Sequence, residues 1–371
     1  MKIMYDEMAF AIDAYLDLTR HEWKEVSVDG FVRDIVSRTS SRFVVGLPLC
    51  RDEAYLGAAR ESISVYMLVA SSLAVLPRIL LSVTGWFGRK YTARVLNQLR
   101  RCWEPFYHTK LALLSKKSNT LSGGGSAIEP NDSESDEGEP NDRQHAPLLQ
   151  LILRHAQRHR PTELLNIDSL TRRLSMVNFS AMHSTAITAI NLLLDLIGSD
   201  TEDGTVEALR DEVYDVMGSD LTSDCWTRHN ISKLRRADSL ARETMRLRNY
   251  GSRIRFRKVM ATQGVTTPLL DEQQGRNGVV VLPRGTAVSW FSMPPQRDED
   301  TYEEAEKFQP FRFEWKLEAL SIDSAIQNLG DGGGKVELAK FSTTSMQHLG
   351  FGHGSHAYAP GGSLPMGNSR C

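Results

Sequence analysis

The sequence predicts a mainly α-helical protein with a small β portion. Apolar residues recur at three- and four-residue steps over most of the chain, the spacing of one helical face. That period changes only once, between Val279 and Trp290, where short β-branched runs flank a Pro/Gly turn. Hydrophobic residues make up 41% and charged residues 24% of 371 residues, a balance that can bury a large core.

Residues from about Asp6 to Ser115 read as helices. Met8, Ala11, Ile12, Tyr15 and Leu16 mark one face, and Phe31, Ile35 and Val36 a second. A helix through Arg38 is expected to end at Gly46. Ser62 to Leu81 and Tyr91 to Leu114 continue the pattern. The most apolar stretch, Val65 to Trp86, is broken by Pro77 and Arg78. A membrane span needs about 20 uninterrupted apolar residues, so a buried amphipathic helix pair and no membrane span are expected.

Between 116 and 147 the periodicity disappears. Gly123-Gly124-Gly125 precedes an acidic tract in which Glu129-Pro130-Asn131-Asp132 repeats as Glu139-Pro140-Asn141-Asp142. This composition predicts a disordered acidic insertion loop within a single domain spanning 1–371. Helices resume at Leu148. Phe179, Met182, Ala186, Ile190, Leu193 and Ile197 mark one face of a long helix, and Val206 to Met217 and Ser232 to Leu247 read as two more. Val279 to Leu282 and Ala287 to Trp290, around Pro283-Arg284-Gly285, are expected to form a strand pair.

Lys+Arg is 44 against Asp+Glu 46, so no global basic field points to nucleic acid. Cys50, Cys102, Cys225 and Cys371 form no CxxC pair, which favours a reduced compartment over a disulfide framework. Residues 1–6 hold no apolar core of signal-peptide length.

The motifs with chemical content lie in the second half. Glu243 and Arg246 stand at i,i+3 on one helix face, where opposite charges can pair. Downstream are Phe308-Gln309-Pro310-Phe311-Arg312-Phe313 and then Phe351-Gly352-His353-Gly354-Ser355-His356-Ala357-Tyr358. Between Arg246 and Phe308 lie Phe256-Arg257-Lys258-Val259-Met260 and Leu282-Pro283-Arg284-Gly285-Thr286, and upstream of Glu243 lies Ala181-Met182-His183-Ser184-Thr185. Taken singly, these are a solvated ion pair, a strand, a hairpin turn and a helix with small polar residues bonding back to its own carbonyls.

In this order they resemble the cytochrome P450 family, in particular its fungal members. E-x-x-R, P-x-R-F and F-x-x-G-x-R-x-C-x-G are family segments, and Arg38 to Arg51 resembles another common in fungal members. The resemblance implies a partial cytochrome P450 fold. It implies a buried triad of Glu243, Arg246 and Arg312 that locks the loop leading to the haem; the forked guanidinium suits a buried carboxylate. Arg257 corresponds to an arginine that faces a haem propionate. His183, Ser184 and Thr185 stand where the family has an acid–alcohol pair that guides protons to iron-bound dioxygen. That turn is expected at a break in the helix, facing a central cavity beside Phe351 and Gly354. Phe351, Gly354 and His356 fall in register with the haem-binding loop.

Tyr358 occupies the position of the family's axial cysteine, whose thiolate pushes electron density to iron and favours O–O cleavage. Ser355 replaces the arginine of the fungal pattern. Reading Tyr358 as TAT and Ala359 as GCC, a frame opened on the last T can spell C-P-G-R-F-F-A-N, the family's own continuation. A frameshift or wrong intron boundary at Tyr358 is therefore expected. The family's membrane anchor, first sheet and W-x-x-x-R helix, and the helix after the haem loop, are expected to be absent, leaving a chain truncated at both ends.

The resemblance implies a haem-dependent monooxygenase. Its substrate would be a small lipophilic molecule of fungal secondary metabolism, such as a terpenoid or indole-terpenoid. An NADPH-dependent flavoprotein reductase would supply electrons. The full-length family sits at the cytosolic face of the endoplasmic reticulum membrane; this chain as written is expected in the cytoplasm. Two alternatives stand beside it: a catalytically inactive, frameshifted remnant, and a non-catalytic helical interaction protein using the acidic loop.

Overall fold

The structure is a computed structural model. It describes residues 1–17, 23–122, 147–219, 221–249, 253–271, 276–314, 341–345 and 347–352. The chain divides into two compact units, Met1–Ile190 with Asp220–Ile231, and Asn191–Ser219 with Ser232–Cys371.

The first unit is helical. α1 (Lys2–Leu16), α2 (Val28–Val44), α3 (Glu53–Val75), α4 (Arg78–Ser122), α5 (Leu148–His159) and α6 (Ile167–Asn178) follow in order. A π turn, Phe179–His183, joins α6 to α7 (Ser184–Asp203), whose first turns belong here. Local chemistry sets the boundaries. Asp52 Oδ1 accepts the free amides of Ala54 and Tyr55 at 2.8 and 3.1 Å and so starts α3. The residue before a proline avoids the helical region, and Leu76, extended at ψ 145°, ends α3 before Pro77.

The core joins Val44, Leu56, Leu99, Trp103, Tyr107, Leu153 and Leu174. Several of the polar atoms around it are paired. Trp103 Nε1 donates to Thr171 Oγ1 at 3.0 Å, and Asn178 Nδ2 to the Tyr55 hydroxyl at 2.9 Å. Ser175 Oγ lies 2.9 Å from the Tyr66 hydroxyl and 3.2 Å from Ser62 Oγ. Glu7 on α1 is buried and accepts from Arg51 Nε at 2.9 Å, docking α1 beside α2. Each buried polar group left without such a partner would cost about 1–3 kcal/mol.

Among the described residues one helix, Ile167–Asp203, is long and apolar enough to cross a membrane, with mean hydropathy 1.3. Thr171, Ser175 and Asn178 on that helix bond to side chains of α3 and α4.

Two expectations need correction in this unit. The helix pair at Val65 to Trp86 forms as α3 and α4, broken at Pro77, but it is not buried. Leu68 is 60%, Ile79 89%, Trp86 51% and Phe87 61% exposed. The buried face of α4 lies further on, at Val95, Leu99, Trp103 and Tyr107. In addition, α4 continues to Ser122, into the stretch read as a loop from 116; residues 123–146 lie outside the described residues.

The second unit holds the rest of α7, α8 (Thr205–Met217), α9 (Arg235–Leu247) and two antiparallel strand pairs. β1 (Arg253–Lys258) pairs with β4 (Ala287–Phe291), and β2 (Val265–Asp271) with β3 (Arg276–Leu282). The expected pairing of Val279–Leu282 with Ala287–Trp290 is therefore wrong: these segments are β3 and β4, and each finds another partner. The turn between them explains this. Gly285 N donates to Val259 O at 2.8 Å, and Val259 N to Thr286 O at 2.9 Å, so the turn closes on the end of β1. Gly285 holds φ +94°, which glycine adopts without steric cost. At Gly264, φ +80°, a Cβ would stand 2.6 Å from Leu282 O, so only glycine admits β2 this close to β3.

Candidate functional site

The residues singled out by sequence fall in both units, and each group is described within its own unit. In the second unit α9 is the organising element. Its polar face is turned inward: Ser239, Arg242, Glu243, Thr244 and Arg246 are all buried. A helix with this many buried polar atoms is stable only if they are bonded.

The structure brings Glu243, Arg246 and Arg312 together. Arg246 Nε and Nη2 lie 2.7 and 2.8 Å from the two oxygens of Glu243, a forked pair. Arg312 Nε reaches Glu243 Oε1 at 3.0 Å, and the Gln309 amide donates to the same oxygen at 3.2 Å. The remaining guanidinium donors go to main-chain carbonyls. Arg246 Nη1 donates to Gln296 O and Ala305 O, each at 2.6 Å, and Arg312 Nη2 to Lys307 O at 3.0 Å. The cluster thus fastens α9 to residues 296–312, a stretch with little secondary structure of its own.

Sequence reasoning missed the neighbours of this triad. Ser239 Oγ accepts from the amides of Phe313 and Glu314 at 3.0 and 3.3 Å. Asp238 Oδ2 accepts from the Phe341 amide at 2.8 Å. Arg242, 3% exposed, lies over the Phe313 ring at 4.7 Å and donates to Thr343 O at 3.2 Å. Burial holds its pKa down to about 10. One helix face therefore holds both 313–314 and 341–343. The signal available was the i,i+3,i+4 recurrence of Ser239, Arg242, Glu243 and Arg246, which by spacing alone equally describes a solvated face.

Residues 347–352, which lead into the haem-like loop, rest on the same cluster. The Tyr302 hydroxyl donates to Gln347 O at 3.1 Å, and the Arg246 guanidinium stacks over the Tyr302 ring at 4.9 Å. His348 is fully buried, edge-on to Phe313, and among the described residues neither ring nitrogen has a hydrogen-bond partner. Burial, then the charges of Arg242 and Arg246, push its pKa well below the ordinary imidazole value. Its ring is a neutral spacer. Phe351 meets Phe341 edge-on at 5.2 Å. Gly350 lies against Met245, whose Cε would be 3.0 Å from an added Cβ. Arg257, on β1 opposite Val288, is exposed. Gly354, His356 and Tyr358 lie outside the described residues.

In the first unit, His183, Ser184 and Thr185 lie where the π turn passes into α7. Such turns insert a residue into the α ladder and recur at functional sites. The His183 ring stacks on Phe179 at 5.4 Å and lines a cavity of about 290 Å³ with Arg33, Ser37, Arg60, Met67 and Met182. Burial and the Arg33 charge lower the His183 pKa. Ser184 Oγ donates to Ser180 O at 2.9 Å, a bond within its own helix. Thr185 is exposed.

A haem of the thiolate type needs a cysteine ligand, and Tyr358, which by resemblance alone stands at that ligand's position, is not one. Cys50, Cys102 and Cys225 belong to the first unit. Cys50 is buried and its thiol is pushed up to about 11, opposite to what a thiolate ligand requires. Among the described residues no cluster of three or more His, Cys, Asp or Glu is placed to hold a metal ion. This donor set does not fit a haem-thiolate centre, and no reaction step is derived through one.

Residues 64–357 match the family description Cytochrome P450. The chain belongs to the cytochrome P450 family. It is 34% identical over 355 residues to the cytochrome P450 monooxygenase pbrC of Penicillium brasilianum, covering 95% of this chain and 59% of that protein. It is 34% identical over 354 residues to astC of Aspergillus terreus, covering 95% and 60%. It is 33% identical over 355 residues to tenB of Beauveria bassiana, covering 95% and 59%. The chain thus spans about 60% of the length of the relatives it matches. The mainly α fold, with short strands among the described residues at 253–291, is that of this family.

Proposed function

We propose that this P450 chain derives from a haem-dependent monooxygenase of fungal secondary metabolism, acting on a small lipophilic molecule with electrons from a flavoprotein reductase. The match over residues 64–357 carries this reading, since it spans the α9 motif, the Arg312 segment and the start of the haem-like loop. Relatives named as monooxygenases support it. Terpenoids and indole-terpenoids are the substrates proposed, and the cytosolic face of the endoplasmic reticulum membrane the location.

On this reading, the chain's own residues have positioning roles. Glu243, Arg246 and Arg312 hold the approach to the loop in place. The loop residues Phe351, Gly354 and His356, with Arg257, would border the prosthetic group, and the His183–Thr185 turn would hold a proton on its distal side.

A second reading is carried by Tyr358: as written, the polypeptide is not a competent monooxygenase. A phenol at the axial position does not supply the electron donation that a thiolate gives. Titration of the purified chain with haem tests whether the group binds at all. A saturable visible-absorption change at one equivalent, lost when Phe351 and Gly354 are replaced, is expected of the lineage. No saturable change would leave the inactive reading alone standing.

A further inference from the structure

α5 carries two histidines one helical turn apart. Leu149, Leu153 and Ala156 recur at four- and three-residue steps and are buried, so one face of α5 is pinned to the core. His155 and His159 fall off that face and are exposed. Their i,i+4 spacing sets the side chains one above the other, and the ring centroids lie 4.6 Å apart, tilted by 39°. The backbone beneath them is fixed, because the Arg160 amide donates to Ala156 O at 2.8 Å and closes the last turn. Of the ten histidines in the chain, these are the two that stand four residues apart.

Helix capping explains only half of the pair. A cation near a helix C-terminus answers the helix dipole, and Arg158 and His159 lie in the last turn of α5. That accounts for His159, but not for His155 one turn earlier or for the contact between the rings. Among the described residues neither histidine makes an ion pair or a hydrogen bond to another side chain. The neighbouring i,i+4 pair of Glu104 and His108 differs, since both oxygens of Glu104 accept from Arg100.

We propose that His155 and His159 form a surface site for a divalent late transition-metal ion. Two histidines four residues apart on one helix face are the bite that H-x-x-x-H metal sites use. A metal about 2.0–2.1 Å from one nitrogen of each ring fits between rings at this separation with side-chain rotation alone. Imidazole selects Zn²⁺, Ni²⁺ and Cu²⁺, whereas Mg²⁺ and Ca²⁺ take oxygen ligands. The surroundings reinforce that choice. Between Leu148 and Thr162 the sequence has no acidic residue, while Arg154, Arg158 and Arg160 flank the pair. Affinity therefore comes from nitrogen donation and not from opposite charge. Two protein ligands leave the other positions to water or a small anion, so the ion clips the last turns of α5 and does not build a closed structural centre. No residue of the proposed haem site takes part, and the inference stands whether or not haem binds.

The test is isothermal titration of the full chain, free of any affinity tag, with nickel chloride. A saturable site is expected, and magnesium chloride is expected to give none. Changes beyond the ligands themselves typically cost about 10–100-fold in metal affinity, so H155Q and H159Q, each removing one of two ligands, are expected to cost at least 10-fold. Glutamine keeps the helix propensity, and an unchanged circular dichroism melt checks that the fold survives. H108Q is expected to leave the affinity as it was. L151H/H159Q re-creates the pair one turn earlier, at a position 47% exposed, and is expected to restore binding. Absence of a saturable nickel site would overturn the proposal, as would undiminished affinity in H155Q or H159Q. So would failure of L151H/H159Q to bind, since helical spacing would then not be what makes the site.

Discussion

Arg312 Nε lies 3.0 Å from Glu243 Oε1, and both side chains are almost entirely buried. Sixty-nine residues separate them in sequence. Glu243 accepts from two guanidiniums at once, and their remaining donors grip main-chain carbonyls that no regular element satisfies. The loop region of the second unit therefore has its rigidity supplied by side chains of one helix.

Breaking that cluster strands charge. Removing one partner of a buried pair typically costs about 3–5 kcal/mol. Arg312→Ala and Glu243→Ala are each expected to destabilise by that amount in urea titrations. Arg312→Lys should recover little, because an ammonium cannot replace the guanidinium fork. A loss below about 1 kcal/mol for either alanine variant would contradict the geometry.

His348 gives the second unit a pH dependence with a definite sign. Its folded pKa is depressed by burial and by Arg242 and Arg246, so the folded state favours the neutral ring. The stability tied to neutrality is present above the unfolded value of about 6.5 and is lost as pH falls below it. Relative to the intrinsic rate of each amide, hydrogen exchange at 347–352 is expected to accelerate as pH falls below about 6.5. His348→Leu should remove that acceleration. A protection factor that stays flat as pH falls below about 6.5 in the parent chain would refute the assignment.

Ser184 spends its hydroxyl on Ser180 O within its own helix. Ser184→Ala is therefore expected to change stability by less than about 0.5 kcal/mol, measured by thermal unfolding. A loss above about 1.5 kcal/mol would show that the hydroxyl belongs to a wider network.

Trp103 differs. It is fully buried, packs edge-on to Tyr107 and donates to Thr171. Trp103→Ala is expected to cost about 3–5 kcal/mol, and Trp103→Phe less, although Thr171 then loses a donor. Equal losses for the two variants would mean that the indole hydrogen bond dominates over volume.

Much of this was legible in the sequence because it follows from spacing. The i,i+3 relation of Glu243 and Arg246 fixes a shared helix face, and Pro77 breaks the long apolar run wherever it folds. What spacing does not carry is which face is covered. Leu68, Trp86 and Phe87 read as core by composition, yet they lie outside it. Strand partners were illegible for a related reason. The Pro283–Gly285 turn resembles a hairpin locally, whereas its hydrogen bonds go to Val259, just past the end of β1. Arg242 and His348 were missed because a buried role depends on Phe313 and Thr343, which reach them from distant sequence.

The central claim is a cytochrome P450 family chain whose axial position carries Tyr358. The most direct measurement is the absorption of the haem-reconstituted chain, reduced and exposed to carbon monoxide. The chain as written is expected to lack the red-shifted band of thiolate-ligated haem, and a variant that reads C-P-G-R-F-F-A-N from position 358 is expected to acquire it. A thiolate band from the chain as written, or its absence from the frame-restored variant, would contradict the account.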